Sequence, residues 1–267
     1  MVLKVAQKIA GKLGYQISKV STGNQSTELI DYPCINLLDL IVQDYVQENP
    51  DFFFIQIGAA DGTSADPAAQ LIRRYHWRGV LVEPQSSSFE QLVKSYKEEP
   101  QLIFEQSVIA LKDGVTSFYQ VRDDIPGLPF WLPQSSGLDR DHVRGALHYW
   151  KHFKQIEGIP DDLDSAIIEV QVPALTIRSL MDKHHVESLD FLMLATPGFD
   201  FEILKMFPFE RVKPPIICFE YLSLDDPKAC LEFLADRGYR VGRFAARAVA
   251  SLNAPTIPWT LYQYPQY

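Results

Sequence analysis

One stretch of the chain decides its reading: Phe52-Phe53-Phe54-Ile55-Gln56-Ile57-Gly58-Ala59-Ala60-Asp61-Gly62. Four apolar residues in a row, with Ile57 after Gln56, predict a buried strand. The run then breaks into Gly58 to Gly62. Glycine at 58 and 62 permits dihedrals and close approaches that a side chain blocks. A strand ending in a glycine turn before a helix is how α/β folds bring backbone close to a nucleotide. Asp61 adds a carboxylate at the carboxyl end of the strand. The same residues also suit a plain tight turn between strand and helix.

Downstream, Pro67 fits the first turn of a helix that reaches about Tyr75, with Asp66 as a candidate cap. Gly79 to Pro84 (GVLVEP) predicts a second strand that ends in Glu83. Its distance from Gly62 is close to the ~20 residues expected between a glycine turn and a ribose-binding carboxylate. A helix over Phe89 to Tyr96 and a third strand over Leu102 to Ala110 follow. Asp113-Gly114 is a hairpin signal before a strand over Thr116 to Val121. This β-α-β-α-β alternation predicts an α/β fold with a mostly parallel central sheet and helices on both faces. Such sheets bind ligands beyond the carboxyl ends of their strands. The glycine turn, Glu83 and the end of the third strand share that edge.

Upstream, Ile35 to Val46 (INLLDLIVQDYV) reads as a helix leading into the opening strand. Leu3 to Leu13 has apolar residues at helical spacing with lysines between, a short amphipathic helix. It suits packing on its own domain better than a membrane surface or partner contact, because it is short. The expected organisation is an N-terminal helix and linker over 1–34 and one domain over 35–267, carrying a lid or insertion at about 122–164.

Length and composition agree with this. The 267 residues are 46% hydrophobic and 22% charged, within the ordinary range for a globular chain. A net charge of -9 argues against a general nucleic-acid surface, which needs clustered Lys and Arg. The three cysteines, Cys34, Cys218 and Cys230, are too few and too scattered for a disulfide framework or a zinc knuckle. Cys218 lies inside the apolar run Ile216 to Phe219 and reads as a buried reduced thiol, which favours the cytoplasm. No apolar run reaches the ~20 residues of a membrane span. Oligomeric state is left open, a homo-oligomer included.

Residues from about Arg122 to Asp164 interrupt the alternation. They hold three of the six histidines, His142, His148 and His152, and two of the four tryptophans, Trp131 and Trp150. Arg140 to Lys154 suits a helix, and His148 and His152, four apart, share one of its faces. No Glu or Cys completes a zinc set in sequence, so no metal site is expected. A long insertion in a compact domain is usually a lid or a substrate-binding loop. After it come a strand from Ile167 to Val172, a helix from Thr176 to Lys183, and a fourth core strand, Asp190 to Leu194. Pro214 to Glu220 (PPIICFE) reads as a fifth strand that again ends in an acid. A helix over Asp226 to Arg237 and late strands near Val241 to Phe244 and Ala248 to Leu252 close the domain.

With these segments in order, the chain resembles the FkbM-type methyltransferases, S-adenosylmethionine-dependent O-methyltransferases with a class I Rossmann-like fold. The resemblance spans about residues 35 to 250. It rests on Ile55 to Gly62, on Gly79 to Pro84, on Val172 to Leu180 with Thr176-Ile177, and on Phe199 to Leu204 (FDFEIL) followed by Pro214 to Glu220. It implies S-adenosylmethionine as cofactor and a small molecule or glycan as substrate, methylated on a hydroxyl of a sugar, glycan or secondary metabolite. The cofactor would be held by Gln56, Gly58, Ala59, Asp61, Gly62 and Glu83, with Gln106, Ser107 and Val108 near the adenine and Glu83 on the ribose hydroxyls.

The departures from the family pattern bear on catalysis. Ala60 stands where the family commonly has Asn. The family's fourth-strand signature is roughly Lys-Ile-Asp-x-Glu-Gly, and here it reads Met193-Leu194-Ala195-Thr196-Pro197-Gly198. A carboxylate at the end of a central strand positions a hydroxyl, takes its proton or binds a metal; Ala195 does none of these. A base must then come from elsewhere: His142 or His148 in the insertion, Asp61, or Glu220. Two alternatives stand beside the active enzyme. One is a methyltransferase-like protein that has lost catalysis, since a fold outlives its function. The other is a nicotinamide enzyme, weakened because positions 60 and 63 lack the glycines of G-x-G-x-x-G.

Overall fold

A computed structural model describes residues 51–63, 66–244 and 246–252, together with Leu38, Val42 and Asn49. The predicted N-terminal helix, Cys34 and the tail after Leu252 lie outside the described residues. So does most of the predicted 35–46 helix, of which Leu38 and Val42 are helical and fully buried.

The opening stretch forms β1 (Phe53–Ile57). Beside it lie β2 (Arg78–Val82), β3 (Leu102–Glu105), β7 (Phe191–Leu194) and β8 (Ile216–Glu220). These five pair in parallel in the order β3-β2-β1-β7-β8. The chain then adds β9 (Arg240–Phe244) and β10 (Arg247–Ser251). They form a hairpin whose second strand slots antiparallel against β8, leaving β9 at the edge. The result is the Rossmann-like, mostly parallel sheet of the class I methyltransferase fold.

Both faces of the sheet are apolar, as a parallel sheet between helical layers requires. Ile55, Ile57, Val80, Val82, Ile217 and Phe219 pack into one cluster; Phe54, Leu81, Ile216 and Cys218 pack into the other. The alternation is the two-residue period of strands, written twice with apolar letters. The helices α1 (Ala69–Tyr75) and α2 (Ser86–Ser95) cover the second cluster, and α4 (Ile177–Lys183), α5 (Asp200–Met206) and α6 (Pro227–Ala235) cover the first.

Two local expectations change. The third strand does not run from Leu102 to Ala110. It stops at Glu105, whose carboxylate takes Lys183 Nζ (2.7 Å) and His184 Nε2 (2.9 Å). The chain then turns through Gln106-Ser107 into β4 (Val108–Ile109), which belongs to a separate sheet ordered β4-β6-β5. There Val108 packs with Phe118 and Val172. Nor does Asp66 cap a helix that begins at Pro67. Asp66 Oδ1 accepts from Ala68 N (2.8 Å) in a tight local turn, and α1 starts after Ala68 without a side-chain cap.

The second sheet joins β5 (Gly114–Val121) antiparallel to β6 (Ile167–Leu175), which runs on beyond the predicted Val172. Between them the chain makes a 3-10 turn (Leu132–Ser135), α3 (Arg140–His152) and a second 3-10 turn (Leu163–Ala166). These pieces share a small core of Val121, Leu132, Val143, Leu147, Ile159, Ala166 and Ile167. The segment is thus packed around its own apolar centre. Trp131 and Trp150 meet edge to face there, with centroids 4.9 Å apart, while Phe153 is 71% exposed.

Candidate active site

The carboxyl ends of β1, β2, β3 and β7 meet around the glycine turn. Gly58 N and Ala59 N both donate to Val82 O (3.0 Å each), and Ala195 N donates to Ile57 O (2.9 Å). Gly58, Ala60 and Gly62 have φ of +79, +48 and +70°, the left-handed region. A Cβ at Gly58 would collide with the Ala195 carbonyl oxygen, and one at Gly62 would lie 2.5 Å from Tyr96 Cε2. Both glycines are therefore required by space as well as by dihedral. Outside the turn, Ser95 Oγ donates to Asp61 O (2.9 Å) and Arg73 Nη2 to Gly62 O (3.2 Å). The Asp61 side chain accepts from Thr63 N (2.9 Å).

Glu83 reaches this turn directly. Its Oε2 accepts from Ala60 N and its Oε1 from Gln85 N, each at 2.9 Å. The residue is 3% exposed. Burial pushes its carboxyl up to about 7, against the pull of the Gln85 and Ala60 amides, and the charge of Asp61 adds to the rise. Each carboxylate oxygen retains a second lone pair. Gln85 extends the arrangement: its Nε2 donates to Pro133 O (3.2 Å), tying the insertion to the end of β2. Ser136 Oγ donates to the same carbonyl (2.6 Å) and accepts from Val121 N (2.9 Å).

The remaining expected cofactor residues divide. Gln56 is buried under the turn; its Nε2 donates to Asp66 Oδ2 (3.1 Å), and its Oε1 has no partner among the described residues. Asp66 was expected only as a helix cap and not as a partner of Gln56, and burial raises its carboxyl above the ordinary range. Ser107 is fully buried just past the end of β3, its Oγ without a partner among the described residues. Gln106 is exposed and bonds Ser86 Oγ through its Nε2 (2.9 Å). Val108 turns into the second sheet's apolar cluster.

The second half of the edge lies beyond β7 and β8. Asp139 caps α3, its Oδ1 accepting from Asp141 N (2.8 Å) and His142 N (3.0 Å), so His142 stands in the first turn of the helix. Its ring lies over Gly198: a Cβ there would come within 2.5 Å of His142 Nδ1. Gly198, with φ +80°, is the glycine of the expected fourth-strand signature. His142 therefore faces the turn from which the family's acids are missing. A cleft of about 200 Å³ opens here, with His142, Pro197, Gly198, Phe199 and Asp225 among its walls.

The other base candidates are placed differently. His148 is exposed on α3 and packs against His152, ring centroids 4.4 Å apart. Nothing brings it to the cleft. Glu220 ends β8 opposite Arg247 of β10, and its Oε1 accepts from the Arg247 guanidinium at 2.8 Å. Among the described residues no group of three or more His, Cys, Asp or Glu could hold a metal ion. No helix among them is long and apolar enough to cross a membrane.

Sequence reading missed Asp200, the first residue of α5. It is fully buried. Its Oδ1 accepts from Thr196 N (2.8 Å) and from the Thr196 hydroxyl, and its Oδ2 accepts from Glu220 N (2.8 Å). Burial pushes the carboxyl up to about 7 against these donors. The signal was present in FDFEIL, an acid in the first helical turn after the strand, but nothing in one dimension shows it turning inward.

Comparison with known proteins bears on what this edge is. Residues 56–241 match the model of the methyltransferase FkbM domain. No curated protein matches. Among solved structures, the chain resembles a precorrin-6y C5,15-methyltransferase from Geobacter metallireducens GS-15 at 12% identity and TM-score 0.37, over 79% of this chain and 85% of that one. It resembles Aeropyrum pernix fibrillarin with natively bound S-adenosyl-L-methionine at 11% identity and TM-score 0.33, over 75% and 66%. A human methyltransferase 10 domain containing protein is 11% identical with TM-score 0.35, over 94% and 98%. At such scores the fold rests on the strand order itself. The family match covers most of the chain and includes the glycine turn, Glu83 and the turn after β7: the chain belongs to the FkbM family of S-adenosylmethionine-dependent methyltransferases.

Proposed function

We propose that the protein is an active O-methyltransferase acting on a hydroxyl of a sugar, glycan or secondary metabolite, with His142 as the group that takes the hydroxyl proton. The observation that carries this reading is the His142 ring over Gly198, beside the cleft and at the turn where the family's acids are absent. Histidine changes charge near neutrality, which suits a general base.

The residues present suit the cofactor. The oxygens Gln56 Oε1 and Ser107 Oγ are buried at this edge without partners among the described residues, and Glu83 stands beside the turn amides. Glu83 and the turn amides would hold the ribose and methionine portions, and Ser107 the adenine side. S-adenosylmethionine supplies a methyl group on a sulfonium, ready for displacement. The chain's own part is to orient the acceptor in the cleft and to receive its proton at the His142 imidazole; orientation supplies much of the rate in such transfers. The buried free thiols Cys218 and Cys230 support a reducing compartment such as the cytoplasm.

A second reading, a methyltransferase-like binding protein without catalysis, is favoured by Ala195 and Pro197 and by the capture of Glu220 by Arg247. Calorimetry with S-adenosylmethionine, followed by mass-spectrometric screening of hydroxylated acceptors, separates the two. Methylation by the wild type, lost in His142→Phe with cofactor affinity retained, supports the enzyme. Methylation that arises only in an Ala195→Asp, Pro197→Glu double variant supports the second reading. Absence of cofactor binding at millimolar concentration sinks the enzyme and the cofactor-holding form of the second reading, leaving a partner subunit.

A further inference from the structure

The turn Ala195 to Phe199 carries two contacts at once. At one end the Ala195 carbonyl packs on the bare Cα of Gly58; at the other, Gly198 receives the His142 ring. A turn so placed sets the position of the cofactor cradle relative to the histidine. It has no acidic side chain of its own to shape it, because 195 and 197 are Ala and Pro. Its internal hydrogen bonds are few: Ala195 N is tied to β1, and Phe199 N donates to Thr196 O (2.8 Å).

Asp200 supplies the rest. One carboxylate oxygen collects both donors of Thr196, in the middle of the turn. The other takes the amide of Glu220, the last residue of β8, after which the chain runs on to Asp225 at the cleft. A single side chain thus staples the ends of two adjacent strands, and so both walls of the cleft that they carry. Its full burial keeps it from touching substrate. A buried carboxylate with three donors directed at it cannot be replaced by a neutral group of the same shape without leaving a donor facing a donor.

We propose that Asp200 is a positioning residue of the methyl-transfer site, pinning the 195–199 turn to the end of β8 so that Gly198 sits under His142. The idea rests on the reading of His142 as the base, but its test does not depend on activity. Side-chain ¹H-¹⁵N correlation spectra of the full chain report the six histidine rings, with His142 assigned from the His142→Gln spectrum. In Asp200→Asn, still cooperatively folded but with a lowered thermal midpoint, the His142 ring signals shift while those of His76 and His148 stay in place. In the same variant kcat falls ten- to a hundredfold with acceptor KM changed less than threefold. Should Asp200→Asn fail to fold, Thr196→Val, which removes only the hydroxyl donor, is read in its place and moves the same signals by a smaller amount. A folded variant with unmoved His142 signals overturns the proposal. Shifted signals in a protein that transfers no methyl group uphold the pinning of the 195–199 turn by Asp200 and overturn the methyl-transfer role given to the site and to His142.

Discussion

The two halves of the sheet's carboxyl edge were built by different means. Around β1 and β2 the polar work is done by the residues expected from sequence: left-handed glycines, and an acid at the end of the second strand whose oxygens meet the turn amides. After β7 the expected acids are gone, and Glu220 at the end of β8 is held by Arg247. There a histidine from the insertion and an aspartate from the following helix occupy the space and the hydrogen bonds. The first half carries its polar groups in the strand-turn motif itself; in the second they come from residues elsewhere in the chain. A motif can thus vanish from a segment while polar groups persist at its place.

The contrast can be broken most severely at Gly58. Gly58→Val should abolish cofactor binding and lower stability by roughly 3 kcal/mol or more, because both the dihedral and the Ala195 carbonyl refuse a side chain. Calorimetry and thermal melts would read it, and a variant that binds normally would refute the close packing of the two turns. His142→Phe should come next: a loss of 10²–10⁴ in kcat with cofactor affinity within twofold. Equal losses in binding and turnover would mean that the two halves are not separable.

Glu83→Gln should weaken cofactor binding about tenfold and at the same time alter the pH dependence of folding. The folded carboxyl, raised to about 7, keeps a proton that the unfolded chain releases from about 4.5 upward. Folded protein therefore binds more protons across that window, and Glu83's contribution to stability should fall as pH rises from about 4.5 to 7, by up to ~3 kcal/mol, then level off, beside a similar fall from Asp200. The glutamine variant should lose Glu83's share of that slope while Asp200 keeps its own, and its amide nitrogen, facing the Ala60 or Gln85 N–H, should lower its stability at every pH. Denaturant melts at pH 5, 6, 7 and 8 would show it; parallel slopes for the two proteins would contradict the buried setting of Glu83. Smallest of all, His148→Ala should leave kcat within twofold, since the ring lies on the exposed side of α3 with His152. A larger loss would bring the outer face of the helix into the site.

The parallel sheet was readable because its strands are written in runs such as FFFI and PPIICFE, whose two faces are both apolar. Glu83 was readable because a glycine turn and an acid at fixed spacing have few other uses. The break of the third strand was hidden: Val108 and Ile109 read as its continuation, whereas they pair with Ala174 and Leu175 of β6, distant in sequence. His142 and His148 looked alike in one dimension. The cap at Asp139 and the bare Gly198 distinguish them, and both are facts of tertiary contact. Glu220 read as a free acid because its partner Arg247 arrives by way of the final hairpin. Asp200 was missed for the opposite reason, since charged residues in a first helical turn usually face solvent.

The insertion has an apolar centre of its own, and Gln85, at the end of β2, hydrogen-bonds one of its carbonyls. A segment that is internally stable can exchange its outward residues without unsettling the frame beneath. Tyr149 and Phe153, both exposed on α3, are free to vary in this sense, whereas Val143 and Leu147 are not. On the proposed reading, acceptor choice is shared by the insertion and the turns after β7 and β8 that line the cleft, apart from the glycine turn and Glu83. Swapping the insertion between family members, joined at residues 122 and 164 and keeping the Gln85 contact, is the natural route to new acceptors on an old scaffold.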